Sequence, residues 1–199
     1  MVQRFFYPYF FRMKTALFLI FAFLVGTAFV PKTDLTLKWK STERLAWKDF
    51  KGRAPLNSSF KAMTTTKIGI DIEFEEDRIV VDLPTYFVKN KSWTKHKKGA
   101  TELLAHEELH FDLTESMARN LRAKVAAIEE RDMEKFYAEV QKLYDKNFEE
   151  LSELQDKYDE DTEHGIKLKE QAVWTNIVMT TLNKLKDYED SKVVLPLAN

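Results

Sequence analysis

From Ala100 onward the apolar residues recur every three to four positions, and Leu103, His106, His110, Leu113, Met117 and Leu121 fall along one stripe of a helix covering roughly 100–128. Within that stripe, residues 106–110 read His-Glu-Glu-Leu-His. Residues four apart on an α-helix project about 40° from each other, so His106 and His110 stand one turn apart on one face and can offer two imidazole nitrogens to one cation. Glu107 is rotated by about 100° from His106. From there it can lean over the same site without filling a coordination position, which is where a general base must stand to take a proton from water. The pattern asks for zinc, held by two histidines and a third protein ligand with one position left open.

The chain has no Cys, so a metal site must be built from nitrogen and oxygen ligands. Helix geometry argues against the two nearest acids as third ligand. Asp112 lies about 200° around the helix from His110, and Glu115 about 180° from His106. Each faces away from the site and is better read as a buttress to neighbouring chain or a solvent group. His164 is the leading candidate, because it sits in a short break between two helical segments with Gly165 beside it to free the backbone. His96, among Lys95, Lys97 and Lys98, is poorly placed to hold a dication.

The remaining chain predicts an α+β fold, a small antiparallel sheet packed on a helical bundle, in a single domain over 29–199. Ile68, Ile70, Ile72 and Phe74 alternate with polar residues, as do Ile79, Val81 and Leu83 after the turn Glu75-Glu76-Asp77, which predicts a hairpin over about 66–83. Met133, Phe136, Val140, Leu143, Leu151 and Tyr158 mark a second helix over about 132–158. A break over 159–165 precedes a third helical pattern over 166–187.

Lys plus Arg number 31 against 32 Asp plus Glu. This balance gives no support to a nucleic-acid partner, which calls for an excess of basic residues. The average conceals a division. Residues 1–28 carry Arg4, Arg12 and Lys14, no acid, and then an uncharged run over 16–30 that passes through Gly26-Thr27-Ala28. This is the pattern of a secretory signal peptide, with Met13 as an alternative start. The run is shorter than the ~20 residues of a membrane-spanning helix, so contact with a membrane is expected only through this segment if it is uncleaved.

The blocks Leu45-Ala-Trp47-Lys-Asp49-Phe50-Lys-Gly52, Ser92-Trp93, Leu104-Ala-His106-Glu107-x-x-His110-Phe111-Asp112 with Glu115, and Tyr158-Asp159-x-x-Thr162-x-His164-Gly165 with Gln171 and Trp174 carry a resemblance. Together they resemble a family of predicted secreted bacterial zinc-dependent proteases, domain of unknown function 922. The resemblance implies a zincin-like metallopeptidase fold, with His106 and His110 as zinc ligands and Glu107 as the catalytic residue, and the His164-Gly165 block supports His164 as third ligand. Of the other residues in these blocks, Asp159 or Glu115 could orient an imidazole and Tyr158 could serve as an oxyanion donor, while Trp47 and Trp174 read as core. The expectation is an exported, periplasmic or secreted zinc peptidase acting on a peptide or protein substrate. The competing expectation is a non-catalytic metal-binding or helical interaction protein of the cell envelope.

Overall fold

The computed structural model describes residues 35–96 and 98–197; the expected signal segment 1–28 lies outside them. The chain runs through β1 (Thr36–Lys38), a 3-10 turn at Trp47–Asp49, and the strands β2 (Ala62–Met63), β3 (Thr66–Ile68), β4 (Asp71–Phe74), β5 (Arg78–Asp82), β6 (Thr85–Val88) and β7 (Trp93–Thr94). Three long helices follow, α1 (Thr101–Ala126), α2 (Met133–Thr162) and α3 (Leu168–Lys184), and β8 (Lys192–Pro196) closes the description. This is a mixed fold of helices and small antiparallel sheets. Among the described residues no helix is long and apolar enough to cross a membrane.

The expected hairpin over 66–83 is real at β4–β5, where Phe74 pairs with Ile79, but the alternating run before it serves two sheets. β3 pairs with β6 in the order β1-β6-β3, whereas β4 pairs with β5 in the order β4-β5-β8. The chain changes sheets at Gly69–Ile70, where the Gly69 N–H donates to the Pro84 carbonyl at 2.7 Å. A β-carbon on Gly69 would meet Pro84 Cγ at 3.1 Å and Tyr86 Cε2 at 3.3 Å, so the crossing is close-packed. Strand β8, which the sequence reading did not include, lines β5 antiparallel with Val193 opposite Val81 and Leu195 opposite Ile79. Its buried pattern alternates as a one-faced strand requires.

α1 lies at the centre. Toward its C-terminal half, Ala118, Leu121 and Val125 pack with Ile79, Val81, Val193 and Leu195 of the β4-β5-β8 sheet, with Leu83 just beyond β5, and with Phe136 and Val140 of α2. Phe111 packs with Phe87, Phe50 and Trp47 on another side. Leu109 and Leu113 meet Tyr158 of α2 and Trp174, Val178 and Leu182 of α3. A helix buried on several faces in this way is fixed in position by the whole core. Complete burial of a side chain such as Leu121 contributes roughly 1.5–3 kcal/mol.

The polar residues of α1 are buried too, and they are paired. Glu115 accepts from Arg119 Nε at 3.0 Å and from Arg122 Nη1 at 2.9 Å, with all three side chains nearly inaccessible. Arg122 also donates to the Leu83 and Tyr188 carbonyls, and Arg119 to the Leu182 carbonyl in the last turn of α3. The cluster thus ties α1 to the residue after β5, the last turn of α3 and the approach to β8, giving carbonyls at these element ends a buried donor. Glu115 is therefore a structural ion-pair partner, remote from the orienting role considered for it.

Candidate metal centre

The second and third turns of α1 present His106 and His110 side by side, with ring centroids 4.8 Å apart and planes at 82°. Their Nε2 atoms are 3.2 Å from each other. Asp159, in the last turn of α2, places Oδ1 3.0 Å from His106 Nε2 and 3.1 Å from His110 Nε2. These three donor atoms form a nearly equilateral triangle of mixed helical origin, a group that could hold a metal ion. A tetrahedral zinc with bonds of about 2.0–2.1 Å separates its ligand atoms by about 3.3–3.4 Å, so the triangle needs to open by only a few tenths of an ångström. Two imidazole nitrogens and one carboxylate oxygen are also the donor types that zinc takes when a coordination position stays open.

The outer nitrogens are engaged as well. His106 Nδ1 faces Gln171 Oε1 of α3 at 3.2 Å, and His110 Nδ1 faces Gln155 Oε1 of α2. Tyr158 lies under both rings, stacked on His106 with centroids 4.7 Å apart and edge-on to His110 at 4.8 Å. Its hydroxyl donates to Gln171 Oε1 at 2.7 Å and approaches the His106 carbonyl at 3.2 Å. Tyr158 is fully buried, with its hydroxyl engaged inside the protein. Burial also pushes the phenol pKa far above its ordinary value.

Electrostatics follow from this crowding. Burial raises the Asp159 pKa, but hydrogen bonds and charge from His106 and His110 outweigh it and hold the carboxyl well below the usual carboxylate range. Burial lowers the basicity of His110, and the neighbouring Asp159 more than offsets this, leaving it raised. Glu107 is 4% exposed. Burial pushes its pKa upward, opposed in part by His110 and His106. Its backbone carbonyl accepts from the Thr64 hydroxyl at 3.1 Å, which anchors the β2–β3 connection to this turn of α1.

Of the expected ligands, His106 and His110 converge, and His164 stands at the margin. His164 Nδ1 is 3.3 Å from Asp159 Oδ1, its side chain is half exposed, and Phe60 packs edge-on against it at 4.8 Å. The geometry at the end of α2 explains its position. Helix α2 runs on to Thr162, past the expected end near 158, and Glu163, His164 and Gly165 then take φ of 48°, 53° and 83° in succession. The His164 N–H donates to the Asp159 carbonyl and the Lys167 N–H to the Thr162 carbonyl, closing the helix end. Asp159 therefore belongs to a helix and aims at the inner nitrogens of both imidazoles.

Asp112 is a buttress, as expected, accepting from Trp39 Nε1 at 2.7 Å and Arg44 Nη1 at 3.1 Å. Trp47 and Trp174 are buried core residues with their indole N–H groups bonded to the Gly99 carbonyl and Asp161. The sequence reading did not single out Gln155, although the signal was available: Gln155, Tyr158 and Asp159 are spaced i, i+3, i+4 on one helix face.

A family described as "bacterial protein of unknown function (DUF922)" matches residues 40–165, a span holding His106, Glu107, His110, Asp159 and His164 and ending before Gln171. No curated protein and no solved structure matches the chain.

Proposed function

The chain belongs to the DUF922 family of bacterial proteins of unknown function, and from the chemistry of its metal group we propose that it is an exported, zincin-like zinc metallopeptidase that hydrolyses peptide bonds. One observation carries this reading. A buried carboxylate, Glu107, adjoins two histidines and an aspartate whose donor atoms lie within 3.2 Å of one another. Three protein donors leave a fourth position for water or substrate, which distinguishes catalytic zinc sites from closed structural ones. His106, His110 and Asp159 would hold the zinc.

Bound there, zinc supplies Lewis acidity, lowering the pKa of water and polarising a carbonyl. The remaining chemistry is the chain's own. Glu107 accepts the proton from the attacking water and returns it to the leaving amine. Its raised pKa suits both transfers, because burial makes the carboxylate a better base than one in water. Tyr158, Gln155 and Gln171 keep the imidazoles from rotating. Export is inferred from the basic and then apolar N-terminal segment 1–28, and the substrate is a peptide or protein.

A second reading has a specific observation behind it. His164 lies within 3.3 Å of Asp159, and were it to join the other three donors the site would be closed and structural, as in a non-catalytic metal-binding protein of the envelope. The deciding experiment combines metal analysis of the purified chain with cleavage of an unbiased peptide mixture by the wild type and by Glu107→Gln. The expected result is one bound zinc in both and peptide cleavage in the wild type alone. A zinc-loaded wild type that cleaves nothing favours the structural site, and a fully active Glu107→Gln removes the assigned base.

A further inference from the structure

We propose that Gln155 and Gln171 are positioning residues that hold His110 and His106 through Nδ1–H, so that each ring turns its Nε2 toward a metal ion shared with Asp159. The inference rests on the donor group alone and not on the peptidase activity, so either can fail without the other.

The hydrogen-bond inventory carries the assignment. Gln155 donates through Nε2 to the His110 carbonyl and to Thr114 Oγ1, each at 3.0 Å, which leaves its Oε1 turned toward His110 Nδ1. Gln171 Oε1 accepts from the Tyr158 hydroxyl at 2.7 Å and faces His106 Nδ1. An amide oxygen only accepts, so an Nδ1 that bonds to one carries a hydrogen. Each Nε2 faces the point where His106, His110 and Asp159 converge; without a metal an Nε2–H can donate to Asp159 there, and a bound metal would take the Nε2 lone pairs in its place. The two glutamines reach the centre from different helices, so the orientation of each ring is tied to the packing of α2 or α3 on α1.

The choice of amides has its own consequence. Histidine ligands are often held by carboxylates, which add negative charge behind the ring and raise its basicity. Here both partners are neutral. Among the three donor groups the formal negative charge is that of Asp159 alone, and a dication would leave the set with a net positive charge. That arrangement favours orientation over tightness of binding.

The test uses the full chain. Titration with zinc alone reads affinity, and nitrogen-15 NMR of the zinc-loaded wild type at pH 8 reads which nitrogen of each ring keeps its hydrogen. Both zinc-loaded rings are expected to carry Nδ1–H. Gln171→Leu should move the His106 Nδ1 signal by removing its acceptor and weaken zinc binding on the order of 10- to 100-fold, and Gln155→Leu should do the same through His110. Gln171→Glu, which keeps an acceptor at the same place, should restore both the hydrogen-bonded Nδ1 signal and zinc affinity. Tyr158→Phe removes the hydroxyl that fixes Gln171 and keeps the ring, so it should loosen His106 and leave His110 unchanged even if a leucine variant does not fold. A zinc-loaded wild type that carries Nε2–H on either ring, or Tyr158→Phe and leucine variants with unchanged Nδ1 signals and zinc affinity, would overturn the proposal.

Discussion

Gly165 packs against His106 so closely that a β-carbon on the glycine would stand 2.8 Å from the histidine Cβ and 2.9 Å from its Cγ. Gly165 also has φ of +83°, a conformation that side-chain-bearing residues adopt at a cost of about 1–2 kcal/mol. Gly165→Ala should therefore lose both stability and metal. A denaturant melt is expected to show a loss of about 2 kcal/mol or more, and a zinc titration at least a tenfold fall in affinity as the imidazole is displaced. Unchanged affinity in a folded Gly165→Ala protein would mean that His106 has slack not evident in its packing.

Asp159 and His164 compete for the place of third ligand, and single replacements separate them. Asp159→Ala should abolish stoichiometric zinc binding, because it removes the oxygen donor that meets both Nε2 atoms. His164→Ala should keep zinc, since its half-exposed ring reaches Asp159 and is not among the three converging groups. The opposite outcome would make His164 the ligand and Asp159 its orienting partner.

The buried cluster on α1 predicts a stability effect separable from the metal. Glu115→Ala strands the guanidinium groups of Arg119 and Arg122, both almost wholly buried, and should cost about 3–5 kcal/mol in urea unfolding. Zinc affinity per folded molecule should not move, because Glu115 makes no contact with the donor set. A cost below about 1 kcal/mol would show that the arginines' carbonyl bonds suffice by themselves.

Metal removal should register as a shift in melting temperature. Zinc at a hundred times its dissociation constant stabilises the native chain by about 2.7 kcal/mol, or roughly 5–10 °C for a domain of this size. A chelator should reverse the shift, and Asp159→Ala should show no zinc-dependent shift at all. Equal zinc stabilisation of wild type and Asp159→Ala would locate the bound metal elsewhere.

The parts of this site that were legible in the sequence are those whose chemistry and periodicity are local. His106, Glu107 and His110 announce themselves because their spacing and the surrounding Leu pattern agree on one helix. Asp159 was legible only as an orienting carboxylate, since the apolar pattern of α2 stops at Tyr158 while the helix continues on polar residues to Thr162. Its role depends on where that helix ends against α1, which is tertiary information. Gln155 and Gln171 are ordinary helix residues until the packing of α2 and α3 brings them to the imidazoles. Strand β8 and the break at Gly69 are likewise decided by pairing that the local pattern does not contain: Val193 joins Val81 from more than a hundred residues away, and Ile68 pairs with Thr85 while Ile72 pairs with Val81.

The convergence of α1 and the end of α2 on one point has a topological meaning in a chain without cysteine. An ion shared by His106, His110 and Asp159 would close a loop of about fifty residues that contains most of α1 and nearly all of α2, the kind of restraint on the unfolded chain that a disulfide provides. The ion proposed as the source of reactivity would then also act as the crosslink of the fold, and a metal-poor environment would leave a looser chain.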